Sequence, residues 1–173
     1  RAVGESGGFR TYVLGDRITR ASAFLFDSTA QAVAFAAWIE TQLEDMRAWL
    51  ESEPIPNLSN HAKLRELETH VVGPMCHVMY AYTTGDACGM NMITRNSYAL
   101  NQGFVLERTH VKPARAMLEG NMGGDKKVSA RYFERGGYGK TVIAEATLTE
   151  EAVRRVLKTS VGDLAELAFV GTH

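Results

Sequence analysis

Two stretches of this chain carry residue types at spacings that chemistry can use. The first, Thr83-Thr84-Gly85-Asp86-Ala87-Cys88-Gly89-Met90-Asn91-Met92, follows a strand-like run and opens a helix-like one. Small residues at Gly85, Ala87 and Gly89 let backbone approach a flat ligand that a Cβ would hold off. Met90 and Met92 offer a soft apolar surface for a ring, and Asp86 and Asn91 supply an acceptor and an amide for a polar edge. It is not the G-x-G-x-x-G fingerprint: the third glycine is missing and no β-α-β unit with a distal acid follows. On residue types alone, a ligand loop and an ordinary tight strand-to-helix turn fit equally. The second stretch is Gly120-Asn121-Met122-Gly123-Gly124-Asp125-Lys126-Lys127. A lysine ammonium aimed at a developing oxyanion stabilises the transition state more than the ground state. A glycine-rich turn with two solvated lysines fits the same letters.

Other ionisable residues are less pointed. Cys76 and Cys88 are too few for a disulfide framework and lack the His/Cys spacing of a zinc site, so two reduced, buried thiols and no metal are expected. His70, His77 and His110 show no ligand spacing, and Glu44, Asp45, Glu51 and Glu53 read as the wet face of a helix. With 19 basic against 20 acidic residues and a formal charge of -1, nothing points to nucleic acid or an anionic membrane as partner. No apolar run approaches the roughly 20 residues that span a bilayer, and Arg1 opens no signal-peptide pattern. A cytoplasmic location is the expectation.

The elements that must position these stretches follow from periodicity. Ser6–Leu14 predicts a short strand, Gly15-Asp16 a turn, and Ser22–Phe26 a buried strand. Ser28 with Gln31 forms a capping box, after which Ala32, Phe35, Ala36, Ile39, Leu43, Met46 and Leu50 recur at helical spacing to Glu51. Leu64–Val72 and Met75–Tyr82 flank Gly73-Pro74 as a hairpin. A helix is predicted from Met90 to Leu106, with Gly103 weakening its end, then a strand at Ala114–Leu118. Tyr138–Thr147 is strand-like, and Thr149-Glu150-Glu151 starts a helix with acids at its positive end. The fold class is α+β, with a β-α-β-β-α-β ferredoxin-like split motif over about Ser22–Met117.

Gly85–Met92 closely resembles the cofactor loop of the 3-hydroxy-3-methylglutaryl-coenzyme A (HMG-CoA) reductase family, usually GDAMGMNM, with Cys88 in place of one methionine. Gly120–Lys127 is similar to that family's GNxxxDKK segment, Gly15–Ala21 to its GDGMTRAP turn, and Val142–Thr159 to the stretch after its lysine pair. The resemblance, class I-like, runs in the family's order over nearly the whole chain. It implies a small nucleotide-binding domain, residues 22–117, inserted in a larger substrate-binding α/β domain to which residues 1–21 and 118–173 belong. It also implies a central piece of a longer enzyme, possessing neither the family's upstream glutamate nor its later aspartate and histidine. That parent would be membrane-anchored or not. This piece alone would be inactive.

The implied chemistry is NAD(P)H-dependent reduction of HMG-CoA to mevalonate and coenzyme A in a homodimer or higher homo-oligomer. Lys126 would stabilise the oxyanion, with Asp125 and Lys127 setting its pKa and position and Asn121 holding the turn. Arg20 would contact the acyl-CoA substrate, a guanidinium fork suiting a carboxylate or polar acyl group. Asp86, Ala87, Cys88, Gly89, Met90, Asn91 and Met92 would seat the nicotinamide side of NADPH. Ser59 falls where the family has a serine near the 2′-phosphate. The arginine expected next is Asn60, leaving Lys63 as a point-charge partner and NADH as an alternative. Two departures concern the acyl group: Glu166–Gly171 is shortened and lacks a lysine, and Glu119 stands where a serine is usual. A carboxylate at 119 would repel a carboxylate substrate unless protonated or paired. A divergent acyl-CoA reductase, or a binding module that turns nothing over, are the competing readings.

Overall fold

The computed structural model describes residues 1–52, 58–122, 130–135 and 138–171. Asp125, Lys126 and Lys127 lie outside the described residues. The chain divides into two compact units, Gly15–Thr141, and Arg1–Leu14 with Val142–His173.

The larger unit is built on strand β1 (Arg10–Leu25), which begins in the smaller one. The predicted turn at Gly15-Asp16 is not there: one strand runs through both predicted strands. Gly15 is not among the left-handed glycines, and pairing with other strands overrides its turn propensity. Helices α2 (Thr29–Glu40) and α3 (Leu43–Ser52) follow, then β2 (Lys63–Val72) and β3 (Met75–Thr83). The Ser28/Gln31 capping box forms as predicted. The single long helix does not: Thr41 Oγ1 donates to the Trp38 carbonyl at 2.7 Å, and this local competitor for the backbone ladder closes α2. Gly73, at φ 58°, turns β2 into β3 with the twist that hairpins prefer.

Helix α4 (Met90–Ala99) runs into a π-helical turn, Leu100–Val105, and a last turn, α5 (Leu106–Arg108). Strand β4 (Arg115–Met117) follows. The sheet order is β2-β3-β1-β4, antiparallel throughout, with β5 (Gly139–Glu145) also paired to β1. Helix α6 (Ala130–Arg135) precedes β5. The core lies between the sheet and α2–α4: Phe24, Phe26 and Phe35 stack with centroids 4.9 and 5.1 Å apart, joined by Ile39, Met46, Ile93 and Phe104.

Polar groups inside this core are chained together. Tyr80 Oη donates to Asn101 Oδ1 at 2.8 Å, Asn101 Nδ2 donates to Ser22 Oγ at 2.9 Å, and Ser22 Oγ donates to the Leu118 carbonyl at 3.2 Å. The π turn presents Asn101 to β3 and β1 together, while Gly103 lies where a Cβ would meet Trp49 at 2.7 Å. Asn101→Leu strands the Tyr80 hydroxyl and the Ser22 acceptor in a dry site. We expect a loss of about 2–4 kcal/mol, read by urea unfolding of the full-length protein. A loss below about 1 kcal/mol would mean that the chain contributes little.

The smaller unit holds α1 (Ala2–Glu5), α7 (Glu150–Ala152), a π turn Val153–Leu157 and α8 (Val161–Gly171). Thr149 caps α7 as its sequence predicts, accepting the Ala152 N–H at 3.2 Å while its own N–H donates to Ser6 Oγ at 3.1 Å. Tyr12 Oη donates to Glu145 at 3.1 Å and Arg155 pairs with Glu5 at 2.5 Å. Phe9, Leu167 and Val170 are exposed. Among the described residues no helix is long and apolar enough to cross a membrane.

Candidate functional site

The loop after β3 is held from inside. Thr84 is buried, and its hydroxyl lies 2.6 Å from the Ala87 carbonyl and 3.3 Å from that of Cys88. Gly85 (φ 64°) and Gly89 (φ 83°) supply the left-handed steps that bring the chain over Thr84 and into α4. At Gly89 there is no space for a side chain: a Cβ would stand 2.3 Å from Thr84 Cγ2. From outside, Lys140 Nζ donates to the Gly85 carbonyl and lies 3.5 Å from Asp16 Oδ2. Asp86, Ala87, Cys88 and Asn91 are exposed on this frame, while Met90 and Met92 are half-buried against the core. Cys88, Gly89, Met90, Asn91 and Met92 line one recess of about 350 Å³.

Ser59 joins this assembly through α4. Asn96, buried on α4, accepts the Ser59 N–H at 3.1 Å and donates to the Ser59 and Ala62 carbonyls at 3.1 and 3.3 Å. Ser59 Oγ then reaches Met92 Sδ at 2.8 Å. A polar cleft of about 590 Å³ opens here, lined by Ser59, Asn60, Lys63, Arg47 and Arg65 among others. Its cations are engaged with Glu51 (Lys63, 3.3 Å), Glu44 (Arg47, 2.5 Å) and Thr83 (Arg65, 3.2 Å).

Arg20 approaches α4 from the sheet. It sits on β1 opposite Tyr80, its side chain 11% exposed. Nη2 donates to Thr94 Oγ1 at 2.5 Å, and Thr94 in turn donates to the Met90 carbonyl at 2.7 Å, in the first turn of α4. Nη1 donates to Glu119, whose other oxygen accepts the Asn121 N–H at 2.9 Å. Glu119 is therefore paired, which meets the condition that its position imposed. The turn behind it is clamped to β1 by a Gly120 N–H to Ala21 carbonyl bond of 2.6 Å, and a Cβ at Gly120 would meet His77 Nδ1 at 2.8 Å. Burial holds the His77 imidazole below its ordinary 6.5, with the nearby His70 adding to the effect.

The structure thus gathers Ser59, Met90, Met92 and Arg20 around the first turns of α4, with Asn121 linked to Arg20 only through Glu119. Sequence reasoning missed Asn96, Thr94 and Lys140, which carry no motif. The one available signal was a buried-face asparagine in the α4 periodicity. Along the outer face of α4 runs an apolar groove of about 730 Å³, lined by Trp49, Leu58, Tyr98 and Leu118 among others. Among the described residues no cluster of His, Cys, Asp or Glu is arranged to hold a metal. The two thiols differ sharply. Against the expectation of two buried thiols, Cys88 is exposed on the loop after β3, whereas Cys76 is buried and its thiol is pushed up to about 12, chiefly by burial. Iodoacetamide is expected to label Cys88 and spare Cys76 in the folded protein, as read by peptide mass mapping. Equal labelling would show that the β3 core opens readily.

The family model for hydroxymethylglutaryl-coenzyme A reductase matches residues 1–173. A 3-hydroxy-3-methylglutaryl-coenzyme A reductase of Pyrococcus abyssi is 33% identical over 168 residues, 97% of this chain and 40% of that protein. One from Aspergillus terreus is 36% identical over 169 residues, 96% of this chain and 16% of that protein. The chain therefore spans less than half the length of these relatives. Among solved structures, the fold is similar to a 3-hydroxy-3-methylglutaryl-coenzyme A reductase of Streptococcus pneumoniae, at TM-score 0.60 and 15% identity over 95% of this chain and 40% of that one. It is also similar to a class II enzyme of the same organism solved with NADPH, at TM-score 0.57 and 15% identity over 91% of this chain and 39% of that one. With the family model matched from end to end and relatives 33–36% identical over nearly the whole chain, the chain belongs to the hydroxymethylglutaryl-coenzyme A reductase family.

Proposed function

We propose that this chain is the central part of an NADPH-dependent reductase that converts HMG-CoA to mevalonate and coenzyme A, a step of isoprenoid precursor synthesis. The observation that carries the reading is the Arg20–Thr94–Met90 connection, which sets the substrate arginine against the helix that opens from the cofactor loop. The residues fit a dinucleotide. Cys88–Met92 line a recess, and the Ser59 cleft brings the Ser59 hydroxyl together with Arg47, Lys63 and Arg65 for a phosphate. NADPH, when bound, supplies the hydrides; NADH remains the alternative coenzyme, since Asn60 replaces the expected arginine.

This chain's residues do the rest. Asp86 to Met92 orient the ring, Arg20 and Asn121 position the acyl group, and Lys126, flanked by Asp125 and Lys127, holds negative charge on the carbonyl oxygen. The β2-β3-β1-β4 order with two helical crossovers supports a ferredoxin-like small domain at about 22–117, set within a larger domain formed by the flanking segments. Exposed Phe9, Leu167 and Val170 support burial of this surface in a homo-oligomer of the full-length protein, with the enzyme in the cytoplasm.

The test is loss of nicotinamide absorbance on adding HMG-CoA to the full-length protein, with each coenzyme in turn. Turnover with NADPH, together with slower iodoacetamide labelling of Cys88 when NADPH is present, establishes the reading. Coenzyme binding without turnover on HMG-CoA moves the assignment to a divergent acyl-CoA reductase or a binding module.

A further inference from the structure

Arg20 is the most buried of the ion-paired arginines among the described residues, with Arg17 next at 15% exposed. Its side chain is 11% exposed, and its Nε is buried with no hydrogen-bond partner among the described residues. Two of its donors are already taken, one by the Thr94 hydroxyl and one by Glu119. The carboxylate of Glu119 is itself 54% exposed. One side of this ion pair is fixed, since Arg20 rises from the sheet and is braced by α4. The other side faces water on a turn that Gly120 and Asn121 hold in place. An acid in this position does the same job that a ligand's carboxylate would do, and it is present at every moment.

We propose that Glu119 is a built-in competitor for the Arg20 subsite, so that an acyl thioester with a free distal carboxylate must displace it, whereas one with an uncharged distal end need not. The inference rests on the acyl-CoA reading above and deepens it by assigning the residue that sets acyl-group selectivity. A tethered carboxylate acts at an effective concentration in the millimolar range or above, at or above the top of the roughly micromolar-to-millimolar range in which enzymes take their substrates. Even when displaced, Glu119 remains a like charge beside the incoming carboxylate, and the repulsion persists. Its own release costs little, because a half-exposed carboxylate regains water as it leaves. Glu119 therefore weakens carboxylated ligands selectively without closing the site to them.

The experiment compares equilibrium binding of HMG-CoA and of 3-hydroxybutyryl-CoA, whose distal end is uncharged, to the full-length protein and to Glu119→Gln and Glu119→Ser. The readout is the ratio of the two affinities. It is expected to shift toward HMG-CoA by about tenfold or more in both variants. Glu119→Gln keeps the size of the side chain and an acceptor for Asn121, and binding of 3-hydroxybutyryl-CoA reports in each variant that the site is intact. A ratio that stays constant, or that moves away from HMG-CoA because Arg20 has lost its brace, overturns this inference and leaves the reductase reading standing. Failure of both thioesters to bind to wild type and variants alike overturns the acyl-CoA reading and this inference with it.

Discussion

Replacing Lys126 with alanine in the full-length protein is expected to lower kcat for thioester reduction by about 10²–10³-fold, with KM and NADPH affinity changed little. The described part of the segment runs through the Gly120 clamp and the left-handed Asn121 (φ 56°) to Met122, and Asp125-Lys126-Lys127 follow in the sequence. The carbonyl oxygen of a bound thioester is nearly neutral and gains charge only as hydride arrives. An ammonium beside it therefore acts on the transition state rather than on substrate binding, and its removal appears in kcat. Steady-state kinetics over both substrates separates the two effects. A kcat within about threefold of wild type would remove Lys126 from the chemistry, whereas a large rise in KM alone would make it a binding residue.

The second large effect is expected at Gly89. Gly89→Ala meets two costs: a left-handed backbone at φ 83° and a Cβ within 2.3 Å of Thr84 Cγ2 and 2.5 Å of Thr84 Cβ. Thr84 is 1% exposed with its hydroxyl committed to the loop carbonyls, so it has no rotamer into which to retreat. The backbone contributes roughly 1–2 kcal/mol and the overpacking about 1–3 kcal/mol, giving a total of about 2–5 kcal/mol. Because the loop relieves this by moving, NADPH affinity is expected to fall more than tenfold, on the order of what a misplaced binding loop loses. Gly85→Ala is the matched control. It shares the left-handed backbone (φ 64°) but meets nothing within 4 Å, so only the backbone cost applies. Equal urea midpoints for the two variants would contradict the argument, since the clash with Thr84 is all that separates them.

What could be read from letters, and what could not, divides by range. The Ser28/Gln31 capping box, the Gly73-Pro74 hairpin and the Thr149 cap are local, and each forms as its residues dictate. The break between α2 and α3 was hidden because Ile39, Leu43, Met46 and Leu50 keep helical spacing straight across it, while at the break the Thr41 N–H and hydroxyl both turn back to the Trp38 carbonyl. The continuity of β1 through Gly15-Asp16 was hidden for the opposite reason, as a good turn sequence is overruled by strands far away in the chain. In the site, the loop glycines read as room for a ligand, whereas Gly89 gives its room to the Thr84 side chain and both Gly85 and Gly89 supply left-handed steps. The Arg20–Glu119 pair was not legible, since it joins residues 99 apart and follows only from where β1 and the turn after β4 meet.

The π turn at Leu100–Val105 has a consequence for how this helix can change in length. A π turn holds one residue more than the α-helical turn it replaces, and is what a single-residue insertion leaves in a helix. Removing one residue there would restore an ordinary helix, but each residue is about 100° of rotation. Everything from the deletion onward, Phe104 and Val105 included, would turn away from the core it now fills. The buried Tyr80–Asn101–Ser22 chain ties the extra residue to β3 and β1, so that removing it calls for compensating changes on both strands.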